Sequence, residues 1–276
     1  MYSVREHMAA DPIATTRAVG EIGYRYLEYA NLTEGDPGVG FEADPGELRE
    51  VVAAGGGEVV SSHVWPLTER NVGDIISYHK DLGTKYIVTK MLYRNLDDIL
   101  DQVPTMISVG EKLASAGMGH LLHTALMRSS GSRVDLDTIL EAVPADLLGI
   151  ELDTYWALRS GLDPVETIKR YGERISILHQ KDIPAHIDQP VNILDEYPDD
   201  EPLLPENIFA NRKYVAEDNF IELGAGTMDL QGIIDAANIH TRAEYLFVEQ
   251  DYTKLDELES VSVSLNALRG RNGVEL

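Results

Sequence analysis

The stretch Gly149–Asp182, GIELDTYWALRSGLDPVETIKRYGERISILHQKD, decides the fold. It opens on a short apolar run, GIELD, and closes on another, ISILHQ. Between them DPVETIKRYG reads as a helix, with Asp163 as N-cap, Pro164 at the first helical position and Gly172 as the stop. Strand, helix and strand in this order make a parallel βαβ unit. Both apolar runs end abruptly in polar groups, Asp153 in the first and His179 in the second. LFVEQD (Leu246–Asp251) repeats the pattern with Glu249. Asp, His and Glu are oxygen and nitrogen ligands for a divalent cation. Three strands that each deliver one such group at the same end point to a single site at the carboxyl end of a barrel.

The same alternation extends in both directions. Upstream, YRYLEYANL (Tyr24–Leu32), EVVSSHV (Glu58–Val64), KYIVTKML (Lys85–Leu92) and GHLLHTAL (Gly119–Leu126) read as strands, each followed by an amphipathic helical run. Downstream, DLQGIIDAANI reads as a helix capped by Asp229, EYLFVEQ as the last strand and LDELESVSVSLNAL as the last helix. With MYSV as a short first strand and DPIATTRAVGEIG as its helix, eight βα units are complete, and the expected fold is an α/β (β/α)8 TIM barrel. A doubly wound open sheet would carry a Gly-rich phosphate turn after its first strand, and none is there. MYSV is short for a strand, so a slightly truncated N-terminus or a misplaced start is expected. Residues 183–218, with EYPDDEPLLPEN among them, break the rhythm and read as a long loop excursion within one domain spanning 1–276.

The chain has 276 residues and 43% hydrophobic residues, enough for a sizeable core. It has 47 acidic and 23 basic residues, a net charge of −24, and only 8 of the basic residues are Lys. An acidic, Lys-poor composition is the expectation for a halophilic protein, in which high salt screens the self-repulsion. There is no clustered Lys/Arg surface for nucleic acid. No apolar stretch reaches the roughly 18–20 residues of a membrane span. The start lacks a signal-like apolar segment, which makes a cytoplasmic location the default. With no cysteine, disulfides, zinc–thiolate sites and cysteine nucleophiles are excluded.

Taken together, YSVRE (Tyr2–Glu6), EIGYRYLEYA, VVSSHV, the Glu151–Asp182 stretch, ELGAGTMD (Glu222–Asp229) and VEQD resemble the sugar phosphate isomerase/epimerase family, the xylose-isomerase-like TIM barrels. The resemblance implies a divalent metal, Mn2+ or Mg2+ first and Zn2+, Co2+ or Fe2+ as further candidates, held at the barrel mouth by two glutamates, an aspartate and a histidine. By motif, Asp153, His179 and Glu249 match three of these ligands. The remaining glutamate should end the fifth strand-like run, but its slot falls near Arg128, and no carboxylate lies between Leu121 and Ser132. Two-base epimerisation needs that glutamate, whereas a one-base reaction through Glu249 does not. The resemblance therefore implies a metal-dependent isomerase or epimerase of a small carbohydrate or polyol derivative. The alternatives are a keto-sugar or keto-inositol dehydratase and a non-catalytic sugar-binding or scaffold barrel with a degenerate metal site. A homodimer or larger homo-oligomer is the family expectation.

Within this reading Glu249, His123 and Lys181 are the candidate catalytic groups. His63, Trp65, Trp156 and Glu222 are the candidate substrate contacts. Glu151, two residues before Asp153 and so on the same strand face, is read as a pairing partner deeper in the barrel. The glycines after Glu222 are a weak phosphate signal. His7, His79, His186 and His240 are read as solvated. The charge carries a direct expectation: dialysis from molar KCl into low-salt buffer unfolds the protein, as followed by circular dichroism. Unchanged stability across that range would refute the halophilic reading.

Overall fold

The computed structural model describes residues 1–125, 127–130, 132–187, 190, 197–198, 200–204 and 215–276. Seven parallel strands form one sheet: β1 (Tyr26–Asn31), β2 (Glu58–Val64), β3 (Tyr86–Thr89), β4 (Gly119–His123), β7 (Gly149–Asp153), β8 (Ile175–Gln180) and β9 (Tyr245–Val248), hydrogen-bonded in that order. A small antiparallel hairpin, β5 (Ser129–Ser130) with β6 (Arg133–Val134), sits between β4 and β7. Helices α1 (Arg5–Ala10), α2 (Pro12–Ile22), α3 (Pro45–Ala54), α4 (Val72–Leu82), α5 (Leu96–Ser115), α6 (Asp135–Ala142), α7 (Thr154–Arg159), α8 (Pro164–Tyr171), α9 (Leu230–His240) and α10 (Glu257–Leu268) flank it. The result is a nearly closed TIM barrel.

The expected first strand differs. Tyr2–Val4 is a 3-10 turn leading into α1, so the barrel sheet has seven strands, not eight, among the described residues. β1 and β9 are the two edges. Their seam is bridged at one end by Tyr26 and Tyr245, whose rings lie 5.2 Å apart, and by Lys85, which donates to Glu58 Oε1 at 2.9 Å and to the Tyr245 hydroxyl at 2.7 Å. A cavity of about 190 Å³ follows this seam, with apolar walls such as Leu27, Phe247 and Leu265. It reaches Glu28, His63, Lys90, His179 and Glu249.

Local chemistry sets most boundaries. Asp44, Asp163 and Asp229 cap α3, α8 and α9 by accepting the N–H three residues on, at 2.9, 2.9 and 3.0 Å. Gly172 works differently from the expected stop. Its φ of −50° is helical, and a 3-10 turn continues through Arg174. Glycine is required there by close approach, because a Cβ would lie 1.9 Å from the His240 carbonyl oxygen.

Strand alternation divides the core. Val60, Val88, Leu121, Ile177 and Phe247 pack inside the barrel, while Leu122, Ile150, Leu152 and Leu178 face the helices with Ile139, Ile168 and Ile233. Of the excursion at 183–218, the described residues Ile183, Tyr197 and Val215 pack with Tyr155, Trp156 and Phe220 over α7. Residues 188–189, 191–196, 199 and 205–214 lie outside the described residues.

His79 corrects the reading of solvated histidines. It shares the inward stripe of α4 with Val72, Ile75 and Leu82 and is fully buried. His120, on the helix-facing side of β4, is also buried, and neither ring nitrogen has a hydrogen-bond partner among the described residues. Burial holds both imidazoles down to about 4, from 6.5. Both are therefore neutral in the fold while the unfolded chain takes up protons first. Their contribution is fully present above pH 6.5 and is lost as pH falls from about 6.5 to about 4, on the order of 3 kcal/mol for each histidine. Urea unfolding of His120→Leu between pH 7 and pH 4.5 should show a shallower acid loss than the parent. Parallel profiles would show that His120 does not titrate with unfolding.

Candidate metal centre at the barrel mouth

Each inward-facing strand end contributes at least one ionisable group. β7 delivers Glu151 and Asp153, β8 delivers His179 and, just beyond its end, Lys181, β1 delivers Glu28, β2 His63 and β4 His123. Glu249 and Asp251 follow β9, and Lys90 follows β3. Sequence reasoning missed Glu28, Lys90 and Asp251. Each had a signal: a single acid inside the apolar β1, a lysine closing the strand-like KYIVTKML, and a carboxylate two residues beyond Glu249.

Lys181 is the centre of the outer group. Its buried Nζ donates to Asp153 Oδ2 at 2.5 Å and to Glu249 Oε2, and lies 3.7 Å from Asp251 Oδ1. Asp153 also caps α7, its Oδ1 accepting the Trp156 N–H at 2.8 Å. Burial alone would raise Asp153 and Glu249, but the Lys181 ammonium outweighs it, with His123 helping at Asp153 and His179 at Glu249, and both are held below the usual carboxylate range. Asp251 has less compensation, and burial pushes it up to about 6.

A second group lies one layer deeper. His179 joins the two, with Nδ1 2.8 Å from Glu249 Oε2 and Nε2 2.6 Å from Glu28 Oε1. His63 Nε2 lies 2.6 Å from Glu151 Oε2 and 3.2 Å from Glu28 Oε1. Burial works against the charged imidazolium, yet Glu28 and Glu151 raise His63 to about 9 and, with Glu249, hold His179 well above its ordinary value. His123 Nε2 lies 3.5 Å from Asp153 Oδ2, but burial outweighs that contact and takes the imidazole down to about 3, which leaves it neutral.

His123, Asp153, His179 and Glu249 each offer a ligand atom, all within 4.8 Å of one another. Two imidazoles and two carboxylates suit Zn2+, Mn2+, Fe2+ or Co2+, so the residues fit a divalent metal. Where the resemblance expects a glutamate at the end of the fifth strand-like run, the cluster contains His123. Arg128 does not fill the gap: its guanidinium bonds Asp135 at 3.2 Å and the Arg94 carbonyl, and lies over the Tyr93 ring.

The other sequence candidates have side-chain or backbone partners of their own. Trp156 is buried against Tyr155 and Phe220. The Trp65 N–H bonds the Asn31 carbonyl at 3.0 Å. Glu222 accepts from Thr253 at 2.6 Å and from Ser260 at 2.9 Å. The glycine loop after Glu222 is an anion nest already occupied by this chain's own carboxylate. Gly224, Gly226 and Met228 donate their N–H groups to Asp182 at 2.9, 3.2 and 3.0 Å.

Removing the ammonium would leave Asp153 and Glu249 buried without their cation. Lys181→Met should lose about 3–5 kcal/mol of stability in EDTA, and millimolar Mn2+ should restore part of it. Equal urea midpoints for variant and parent, with and without metal, would show that Lys181 does not hold the carboxylates together.

No family model matches the chain. It is 24% identical over 208 residues to the inosose dehydratase of Geobacillus kaustophilus (strain HTA426), covering 64% of this chain and 63% of that protein. A sugar phosphate isomerase/epimerase from Parabacteroides distasonis ATCC 8503 superposes with a TM-score of 0.73 at 21% identity, over 99% of this chain and 93% of that one. A solved IOLI protein with a bound zinc atom superposes with a TM-score of 0.66 at 15% identity, over 96% of this chain and 94% of that one. The structural neighbours are sugar phosphate isomerase/epimerase and xylose-isomerase-like TIM-barrel proteins, and this chain has their fold.

Proposed function

We propose that this chain is a metal-dependent enzyme that moves a proton on a small carbohydrate or polyol derivative, as an isomerase or epimerase. The observation that carries the reading is the convergence of His123, Asp153, His179 and Glu249 at the carboxyl ends of four barrel strands, where TIM-barrel active sites lie. These four would hold the metal. When bound, a divalent cation polarises a carbonyl or hydroxyl oxygen and makes the adjacent C–H acidic.

The chain's own groups supply the rest. Glu249 is kept ionised by Lys181 and His179, and it is the base for the C–H proton. Lys181 fixes the rotamers of Asp153 and Glu249 together, so it orients the base. Neutral His123 presents a lone pair where a relative's glutamate would present a charge. One base suffices for a 1,2-shift, because Glu249 can return its proton to the neighbouring carbon.

A second reading is a keto-sugar or keto-inositol dehydratase, favoured by the similarity to an inosose dehydratase. The first step, C–H removal by Glu249, is the same, and the outcomes then differ. Isomerisation keeps the oxygen count, whereas dehydration expels a β-hydroxyl as water.

Elemental mass spectrometry of protein purified in high salt should find near-stoichiometric divalent metal that falls in Glu249→Gln. Incubation of keto-sugars and keto-inositols with the metal-loaded protein in D2O should put deuterium on carbon, slowed by about 10²–10⁴-fold in that variant. Product mass separates the two readings. Neither metal nor exchange in the parent would leave the non-catalytic barrel.

A further inference from the structure

We propose that the barrel axis carries a second, inner seat for a borderline divalent cation such as Zn2+ or Co2+, formed by His63, Glu28, Glu151 and the Nε2 of His179. It lies beneath the mouth site and does not use Asp153 or Glu249. Its donors come from four different strands, β2, β1, β7 and β8. Each imidazole Nε2 meets both carboxylates. His63 Nε2 is 2.6 Å from Glu151 Oε2 and 3.2 Å from Glu28 Oε1. His179 Nε2 is 2.6 Å from Glu28 Oε1 and 3.3 Å from Glu151 Oε1. Ligand atoms around a tetrahedral ion with bonds of about 2.0–2.1 Å sit about 3.3 Å apart. Two of these separations, 3.2 and 3.3 Å, match that spacing, and the two of 2.6 Å would have to open by about 0.7 Å to admit the ion.

Three further observations point to a cation there. Glu151 Oε1 is fully buried and makes no well-aligned hydrogen bond among the described residues, with His179 Nε2 3.3 Å away. Both ring nitrogens of His123 are likewise buried without a hydrogen bond among those residues, although its Nε2 lies 3.5 Å from Asp153 Oδ2. That ring stands 4.9 Å from the His63 ring and 5.0 Å from the His179 ring. His63, His123, Glu151 and His179 also bring their ligand atoms within 4.8 Å of one another, so His123 borders both seats.

The donor sets separate the two positions. The outer seat has Lys181 as a resident cation between its carboxylates. Among the described residues, the inner carboxylates meet only imidazoles, the Ser61 hydroxyl and no ammonium within hydrogen-bond distance. Imidazole-containing donor sets favour Zn2+ and Co2+ over Mg2+.

The test removes the outer seat first. Asp153→Asn/Glu249→Gln protein, checked for folding by circular dichroism, is titrated with Zn2+ against a chromophoric chelator and with Co2+ by visible absorption. The inner seat predicts one Zn2+ per chain and a cobalt d–d band in that variant. Adding His63→Gln, or independently Glu151→Gln, should weaken Zn2+ at least 10-fold and abolish the band, while Mg2+ produces no competition. Absence of Zn2+ binding in the folded double variant overturns the inner seat. So does binding indifferent to His63→Gln and Glu151→Gln. Failure of the mouth-site reading looks different: metal content in the parent would not respond to Asp153→Asn/Glu249→Gln.

Discussion

A fully buried ammonium among carboxylates governs this molecule. Lys181 carries its charge between Asp153 and Glu249, with Asp251 close by, in a layer from which water is largely excluded. Desolvating such ions costs several kcal/mol each, and only mutual attraction with good geometry offsets it. The arrangement is therefore all-or-none. Lys181 keeps Asp153 and Glu249 ionised; Glu151, Glu28 and Glu249 together hold His179 charged; His63 and His179 keep Glu28 ionised in the layer below. Burial pushes every acid in this set upward, and the ones that stay low are those touching a cation. Glu151 shows the limit. Burial and the neighbouring Glu28 charge outweigh its two imidazoles, and it alone of the Glu28–Glu151 pair is raised.

The barrel was legible because its signals are local. Apolar runs of strand length, aspartates before helices and glycines after them recur from Tyr24 to Leu268, and the caps at Asp44, Asp163 and Asp229 are where the sequence places them. The opening turn was not legible. Tyr2–Val4 has strand-like residues but makes a 3-10 turn, pinned by the Gln250 N–H on the Ser3 hydroxyl and by Arg5 on the Asp251 carbonyl. Those contacts span some 246 residues of chain, and no local pattern reports them. His79 failed for a simpler reason. Its place on the inward stripe of α4 was readable at helical spacing, but a histidine among Ser, Tyr and Lys reads as solvated until the burial is seen.

The site was partly legible for the same reason that the barrel was. Asp153, His179 and Glu249 stand where apolar runs stop, and the structure brings them into one cluster with His123. The role of His123 was not readable from motif matching, which asks for a glutamate at a fixed position in the loop. The barrel asks only for a donor at a point in space, and an inward residue at the end of β4 reaches it. Glu222 and its glycines illustrate the reverse error. The backbone nest is real, but Asp182 from the end of β8 fills it. A nest in sequence cannot show whether its anion is a ligand or the chain's own side chain.

The deepest layer depends on two irregularities that strand periodicity conceals. Between β1 and β2 the pairing steps from Leu27–Val59 to Glu28–Ser61, leaving Val60 as an extra residue. Between β7 and β8 it steps from Ile150–Ile175 to Glu151–Ile177, leaving Ser176 extra. Paired residues on parallel neighbours point to the same side, and a one-residue slip reverses every side chain beyond it. Without the second step Asp153 would stand beside Leu178, and β8 would turn His179 and Lys181 toward the helices. With it, Asp153 stands beside His179, and Lys181 follows on the same face. The first step does the same for Glu28, setting it beside Ser61, which donates to Glu28 Oε2 at 2.5 Å, with His63 next on that face. Both steps fall immediately before an interior glutamate. The bulges thus put two acids and two histidines on the barrel axis in one layer, and the ionic network at the mouth stands on that layer.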